Sequence, residues 1–218
     1  MNLNILYKDK DITVCIKPKG ISSEDSPNEK GIIGLLSEKA GKPLHLLHRL
    51  DRNVGGVMVF ANNKQSAAIL SNDIAQGKLI KEYLAVTDGI PAEDKAVLTD
   101  LLFKDSRKNR SYVVKRIRKG VKDASLEYEV LKKSKEKALV HIILHTGRTH
   151  QIRVQFSSRK LCLTGDIKYG SKDRTNCEIG LHAYRITFTH PTTKEKMTFQ
   201  CEPDYTAYPW SIFEGENL

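Results

Sequence analysis

Residues 46–61 read LLHRLDRNVGGVMVFA. A Gly-Gly pair, Gly55-Gly56, leads into an apolar run with strand character, and one acid, Asp51, sits between Arg49 and Arg52 just before it. Three charges in four residues are a poor recipe for a core and a good one for a site. With cations on both sides, the Asp51 carboxylate suits a nucleophile or base better than a store for a proton. The same composition also describes a structural ion pair on a solvated loop. The rest of the chain has to separate the two.

Outward from this stretch, short alternating strand patterns mix with a few helices, and no repeat, low-complexity tract or Pro/Gly/Ser linker divides the chain. Residues 12–16 read as a strand that stops at Lys17-Pro18-Lys19-Gly20, where proline removes a donor and glycine permits a turn. That places a basic turn at an edge. Ile32, Leu35 and Leu36 suggest a short helix, and Ala67, Leu70 and Ile74 repeat at helical spacing until Gly77 supplies a stop. Further strands are expected over 81–87, around Leu126, Tyr128 and Val130, over 138–144, and around Tyr184/Ile186/Phe188 and Met197/Phe199/Cys201. The expected class is α+β, a mixed and largely antiparallel sheet with flanking helices in one continuous domain over 1–218.

A second polar constellation lies about a hundred residues on, where TGRTHQIRVQF (146–156) brings Arg148, His150, Gln151 and Arg153 together behind a bend at Gly147. A helix after Thr149 would put Ile152 and Phe156 on one face and Arg153 off its centre. An arginine fork there suits a carboxylate, a phosphate or a base edge. His48 and His150 have no accompanying metal-ligand spacing, so no metal is expected. In residues 81–86, KEYLAV, Tyr83 is a core residue unless its face meets a base, where a phenol ring can stack.

Composition narrows the partners. The chain has 218 residues with 39% hydrophobic content, enough for a sizeable core, and 36 Lys+Arg against 26 Asp+Glu give a net charge of +10. A polyanion such as nucleic acid is favoured, although charge alone does not distinguish a binding surface from scattered lysines. No run approaches the roughly 18 apolar residues of a membrane span, and the amino terminus has no signal-like core. A cytoplasmic location without membrane contact is expected. Cys15, Cys162, Cys177 and Cys201 are far apart and form no CxxC pair, which argues against a zinc site or disulfide framework.

Taken together, the chain resembles the RluA-type pseudouridine synthases. The resemblance rests on ILYKDKDITVCIKPKGI (5–21), HRLDRNVGGVMVFA (48–61), KEYLAV (81–86), DLLFKDSRKNRSYVV (100–114), TGRTHQIRVQF, GDIKYG (165–170) and LHAYRITFTHPTTKEKMTFQCEPD (181–204). It implies a two-lobed catalytic domain with an RNA cleft, acting on ribosomal or transfer RNA without metal, organic cofactor or obligatory protein partner. It also implies roles: Asp51 as the catalytic aspartate, Tyr83 as the base-stacking tyrosine, Arg153 as the arginine paired with that aspartate, and Arg49 as the arginine associated with flipping the target nucleotide. An S4-like amino-terminal module is not expected. The sequence departs from the family pattern in two places: Asn53-Val54-Gly55 replaces the Thr/Ser-Ser/Gly type of sequence after the catalytic loop, and Gln155 stands where histidine is common. Two other readings stay open, an RNA-binding protein with a vestigial pocket and a carboxylate-dependent nucleotide hydrolase.

Overall fold

A computed structural model describes residues 3–175 and 178–214; Cys177 lies outside them. In chain order the elements are β1 (Asn4–Lys8), β2 (Ile12–Lys17), α1 (Ile32–Ala40), β3 (His45–Leu46), β4 (Gly55–Ala61), α2 (Lys64–Ala75), β5 (Ile80–Asp88), β6 (Lys95–Asp105), β7 (Arg110–Val114), β8 (Val121–Ser134), β9 (Lys137–Leu144), α3 (Gln151–Ser157), β10 (Leu181–Thr189) and β11 (Lys196–Gln200). Strand β4 runs parallel to β10, whereas β1–β2, β2–β4, β3–β4, β5–β9, β6–β7, β6–β8, β8–β9 and β10–β11 are antiparallel pairs. The fold is therefore α+β with a mixed, largely antiparallel sheet, as its strand periodicities indicate.

The chain divides into two compact units. One runs to Lys81 and includes His182–Glu202; the other comprises Glu82–Leu181 and the chain from Pro203 on. In the first, β2 lies between β1 and β4, and β4 continues through β10 to β11. Alternate residues of these strands, Ile12 and Val14, Val57, Val59 and Ala61, Ile186 and Phe188, form a core with Leu70 of α2 and with Leu79. Helix α2 starts where the Asn63 side chain accepts from the Ser66 N–H, the usual chemistry of an N-cap. It presents Ala67, Leu70 and Ile74 to that core, the helical repeat visible in the sequence. Gly77, just past its end, adopts the left-handed backbone that glycine tolerates.

In the second unit β5, β9, β8, β6 and β7 pair in that order. Strands β6 and β7 did not stand out in the sequence, because β6 is only half-buried and alternates weakly. Helix α3 seats Val154 beside Leu102, Ala124 and Tyr169, and Phe156 packs its ring 5.4 Å from Tyr128. A polar hub closes the unit. The Lys137 ammonium donates to Asp88 (2.6 Å), Asp173 (2.9 Å) and Thr164 (3.3 Å), Ser171 donates to Asp88 (2.6 Å), and the Tyr208 phenol donates to Asp173. Among the described residues, no helix is long and apolar enough to cross a membrane.

Burial opposes the charge on Asp173, but bonds from Tyr208 and Lys137 outweigh it and hold the carboxyl well below its usual range. A lowered carboxylate stabilises the fold above its unfolded value of about 4 and loses that contribution as pH falls. The stability gap between wild type and Asp173→Asn, read from urea denaturation, should therefore be fullest at neutral pH and narrow below about pH 4.

Candidate active site

The segment that carries Asp51 has little regular structure, so its shape depends on anchors. Ser23 supplies the first: its hydroxyl oxygen accepts the Leu50 N–H and donates to the Leu50 carbonyl, each at 2.9 Å. On the other side of Asp51, the Arg52 carbonyl accepts from the Gly20 N–H at 2.9 Å and from the Lys17 ammonium at 3.2 Å. The Asp51 carbonyl itself accepts from Val54 N–H at 3.0 Å, closing a turn. Backbone is thus pinned immediately before, at and after the acid, which is how a loop presents a side chain at a fixed position. Val54, one of the residues that depart from the family pattern, is buried.

Lys17 was expected in a basic edge turn, and the structure corrects this. Strand β2 is interior to its sheet, and Lys17 is fully buried. Its ammonium turns inward onto the carbonyls of Pro18 (2.9 Å), Ile21 (2.7 Å) and Arg52. Burial pulls it down to about 8, and the nearby Asp51 carboxylate opposes that shift. The pairing Lys17↔Gly56 sets the same β2 residue against the start of β4, where the loop ends. Gly56 has φ +124°, and a Cβ there would fall 2.2 Å from the Ala183 carbonyl oxygen, so the second glycine of the pair is needed for the close approach of β10.

The arginines flanking Asp51 have other partners. Arg49 pairs with Glu24 at 2.5 Å, and Arg52 holds Glu29 through both terminal nitrogens at 2.5 and 3.0 Å. All four side chains are about half exposed. Surface pairs of this kind contribute about 0–1 kcal/mol, so Arg49 is readily released. His48 is neutral: burial, with Lys81 nearby, pulls it down to about 3, and its Nε2 accepts the Val59 N–H at 3.2 Å.

In the second unit, Tyr83 lies on β5 opposite Ile142 of β9 and is 6% exposed. Arg153 sits on α3, whose start is set by His150 in a left-handed conformation (φ +54°). Gln151 fixes that bend by accepting from Thr146 and from the Arg148 N–H while donating to the Ser125 carbonyl. The Arg153 guanidinium is buried and forks onto Asp166 at 2.7 and 2.8 Å, lying 5.0 Å over the Tyr169 ring. Tyr169 in turn meets His150 Nδ1 and the Ser111 N–H through its hydroxyl. Asp166 is 1% exposed; it was not singled out in the sequence, although the GDIKYG run that contains it was. Gln155 donates to the Leu98 carbonyl and to Asp100, holding α3 to β6 where the family commonly has histidine.

One group of described residues has metal-ligand composition: Asp9, Asp11 and His190, with donor atoms within 4.8 Å of one another. Hydrogen bonds use these atoms. His190 Nδ1 accepts from Thr192 and Thr193 N–H, which leaves Nε2–H to donate to Asp9, and Asp11 accepts from Asn63, Ser66 and Thr192. The group ties the β1–β2 turn to the β10–β11 turn.

Residues 11–158 match the family described as RNA pseudouridylate synthase. The chain belongs to that family. Among its relatives, an uncharacterised RNA pseudouridine synthase of Mycoplasma pneumoniae, the MG209 homologue, is 34% identical over 94% of this chain and 68% of its own length. The ribosomal large subunit pseudouridine synthase C of Buchnera aphidicola subsp. Baizongia pistaciae is 32% identical over 94% and 68%. The tRNA pseudouridine synthase C of Haemophilus ducreyi is 30% identical over 91% and 90%. The structure of human RNA pseudouridylate synthase domain containing 4 shares the fold, with a TM-score of 0.77, 23% identity and coverage of 96% of this chain and 90% of that one. These likenesses agree with the RluA-type resemblance of the motifs and make the chain an RNA pseudouridine synthase.

Lys17→Met should remove three hydrogen bonds made by a buried ammonium and destabilise the protein by about 3 kcal/mol. Urea denaturation of the variant beside wild type reads this directly.

Proposed function

We propose that this synthase isomerises uridines in ribosomal or transfer RNA, working in the cytoplasm, with Asp51 as the catalytic carboxylate. The observation that carries the reading is the pinned Asp51 turn, supported from both sides by Ser23, Gly20 and Lys17 within the family's signature segment. The reaction breaks the N1–C1′ bond of uridine and forms a C5–C1′ bond; C5 loses a proton and N1 gains one. A carboxylate can meet positive character at the anomeric carbon by bonding to C1′, as in glycoside hydrolysis, or can remove a sugar proton to give a glycal. Departing uracil spreads its charge over its own carbonyls, so no second acid is required. The names of the Buchnera and Haemophilus relatives, for ribosomal and transfer RNA, define the two substrate classes to test.

Other residues take supporting roles in this reading. Tyr83 stacks on the detached base and retains it while it turns. Arg49, whose exposed guanidinium pairs with Glu24, leaves it to fill the space of the flipped nucleotide. Arg153 lends positive charge to the site through a guanidinium whose orientation Asp166 fixes.

Asp51→Asn should abolish pseudouridine formation on transcribed RNA while leaving RNA affinity within about threefold, because phosphate contacts dominate binding. Retained turnover would remove Asp51 from the mechanism. Tyr83→Ala should cost about 1–3 kcal/mol of base stacking, measured in kcat/KM. Arg153→Ala is an ambiguous test, since it strands the buried Asp166 charge at about 3–5 kcal/mol of stability. Arg153→Lys keeps the charge but loses the fork, and should lower kcat with a smaller loss of stability.

A further inference from the structure

The net charge of this chain is concentrated. Residues 104–122, KDSRKNRSYVVKRIRKGVK, hold nine cations and one acid, a net +8 in nineteen residues where the whole chain carries +10. They form two runs, 104–110 and 115–122, separated by the half-buried strand β7. The fold brings the runs together. β7 turns back from β6 at the pair Asp105↔Arg110 and ends at Val114 opposite Leu101. Residues 115–120 then return across β6, with the Arg118 guanidinium 4.7 Å over the Phe103 ring, and β8 begins at Val121 opposite Phe103. The hairpin tip and the crossing segment are thus about two residues, or roughly 7 Å, apart along β6.

Eight of the nine cations are exposed, and Arg110 is half-buried. Among the described residues none of the nine forms an ion pair; Arg110 and Arg118 lie over aromatic rings. The single acid is already engaged, since the Asp105 carboxylate accepts from the Arg107 and Lys108 N–H groups and so shapes the turn. Like charges crowded this closely repel one another and do nothing for the fold, so the arrangement is explained by a polyanion outside the chain. Exposed apolar surface here is limited to Ile117, 81% exposed at the middle of the crossing segment. That suits a phosphate backbone better than the apolar centre of a protein interface.

We propose that residues 104–122 form a backbone-binding arm for the substrate RNA, supplying sequence-independent affinity and no chemistry. This rests on the reading of the chain as an RNA-modifying enzyme, and it settles where the basic excess acts. The test is the full-length quadruple variant Arg107→Gln, Lys108→Gln, Arg116→Gln, Lys119→Gln, checked for folding by its thermal melt. Its control is Lys10→Gln, Lys39→Gln, Lys42→Gln, Lys196→Gln, which removes the same charge from exposed lysines elsewhere.

Binding of a fluorescein-labelled RNA hairpin is followed by anisotropy between about 50 and 200 mM salt. Removing four phosphate contacts should weaken binding at least about tenfold and reduce the salt slope by about 3, with the control changed much less. The double variant Arg116→Gln, Lys119→Gln should give about half the slope change. In uridine conversion the quadruple variant should raise KM and leave kcat within about twofold. Unchanged affinity or an equal loss in the control would each overturn the proposal. Absence of conversion by wild type would instead count against the catalytic reading, with the binding result standing separately.

Discussion

The carboxylate proposed to act on one carbon of a flipped nucleotide, that of Asp51, needs backbone that does not move, and this protein bonds the backbone on either side of it. Leu50 is held through both its amide and its carbonyl by one hydroxyl, that of Ser23, and Arg52 is held through its carbonyl by Gly20 and Lys17. The Lys17 ammonium is the costly member, because burying a charge is unfavourable unless its donors are used. Three carbonyls use them. The strand that delivers Lys17 is paired with the strand that follows the loop, so the sheet register and the shape of the Asp51 turn are one construction.

The ion pairs of Arg49 and Arg153 differ in burial. Arg49–Glu24 is exposed and easily exchanged for another partner. Arg153–Asp166 is buried, bidentate and covered by Tyr169, so breaking it leaves a charge with no solvent. An exposed and a buried arginine are thus distinguished by their surroundings rather than by residue type. The same logic sets apart the cations of residues 104–122, of which eight of nine are exposed and none, among the described residues, has an acid partner.

Much of the fold was legible from periodicity. Helix α2 and strands β5, β8, β9, β10 and β11 all fall where apolar spacing put them, since each buries one face or both. Strands β6 and β7 were not legible, because their residues are largely half-exposed and are defined by pairing with each other and β8. At the site, the Asp51 segment stood out by composition, but its supports did not. Lys17 looked like a surface charge beside proline, and only the interior position of β2 shows that it turns inward. Glu24 and Glu29 lie 25 and 23 residues from the arginines they hold, and Asp166 lies 13 from Arg153. Sequence spacing does not report such meetings; the backbone path does.

The central claim is that Asp51 converts uridine to pseudouridine in cellular RNA. The most direct measurement is a transcriptome-wide map of pseudouridine, read by adduct-dependent stops of reverse transcription, in matched strains with wild-type protein, no protein, or Asp51→Ala. The account predicts sites present with wild type and missing from both of the others, which would also identify the RNA. Sites that persist with Asp51→Ala and vanish only when the protein is absent would contradict it.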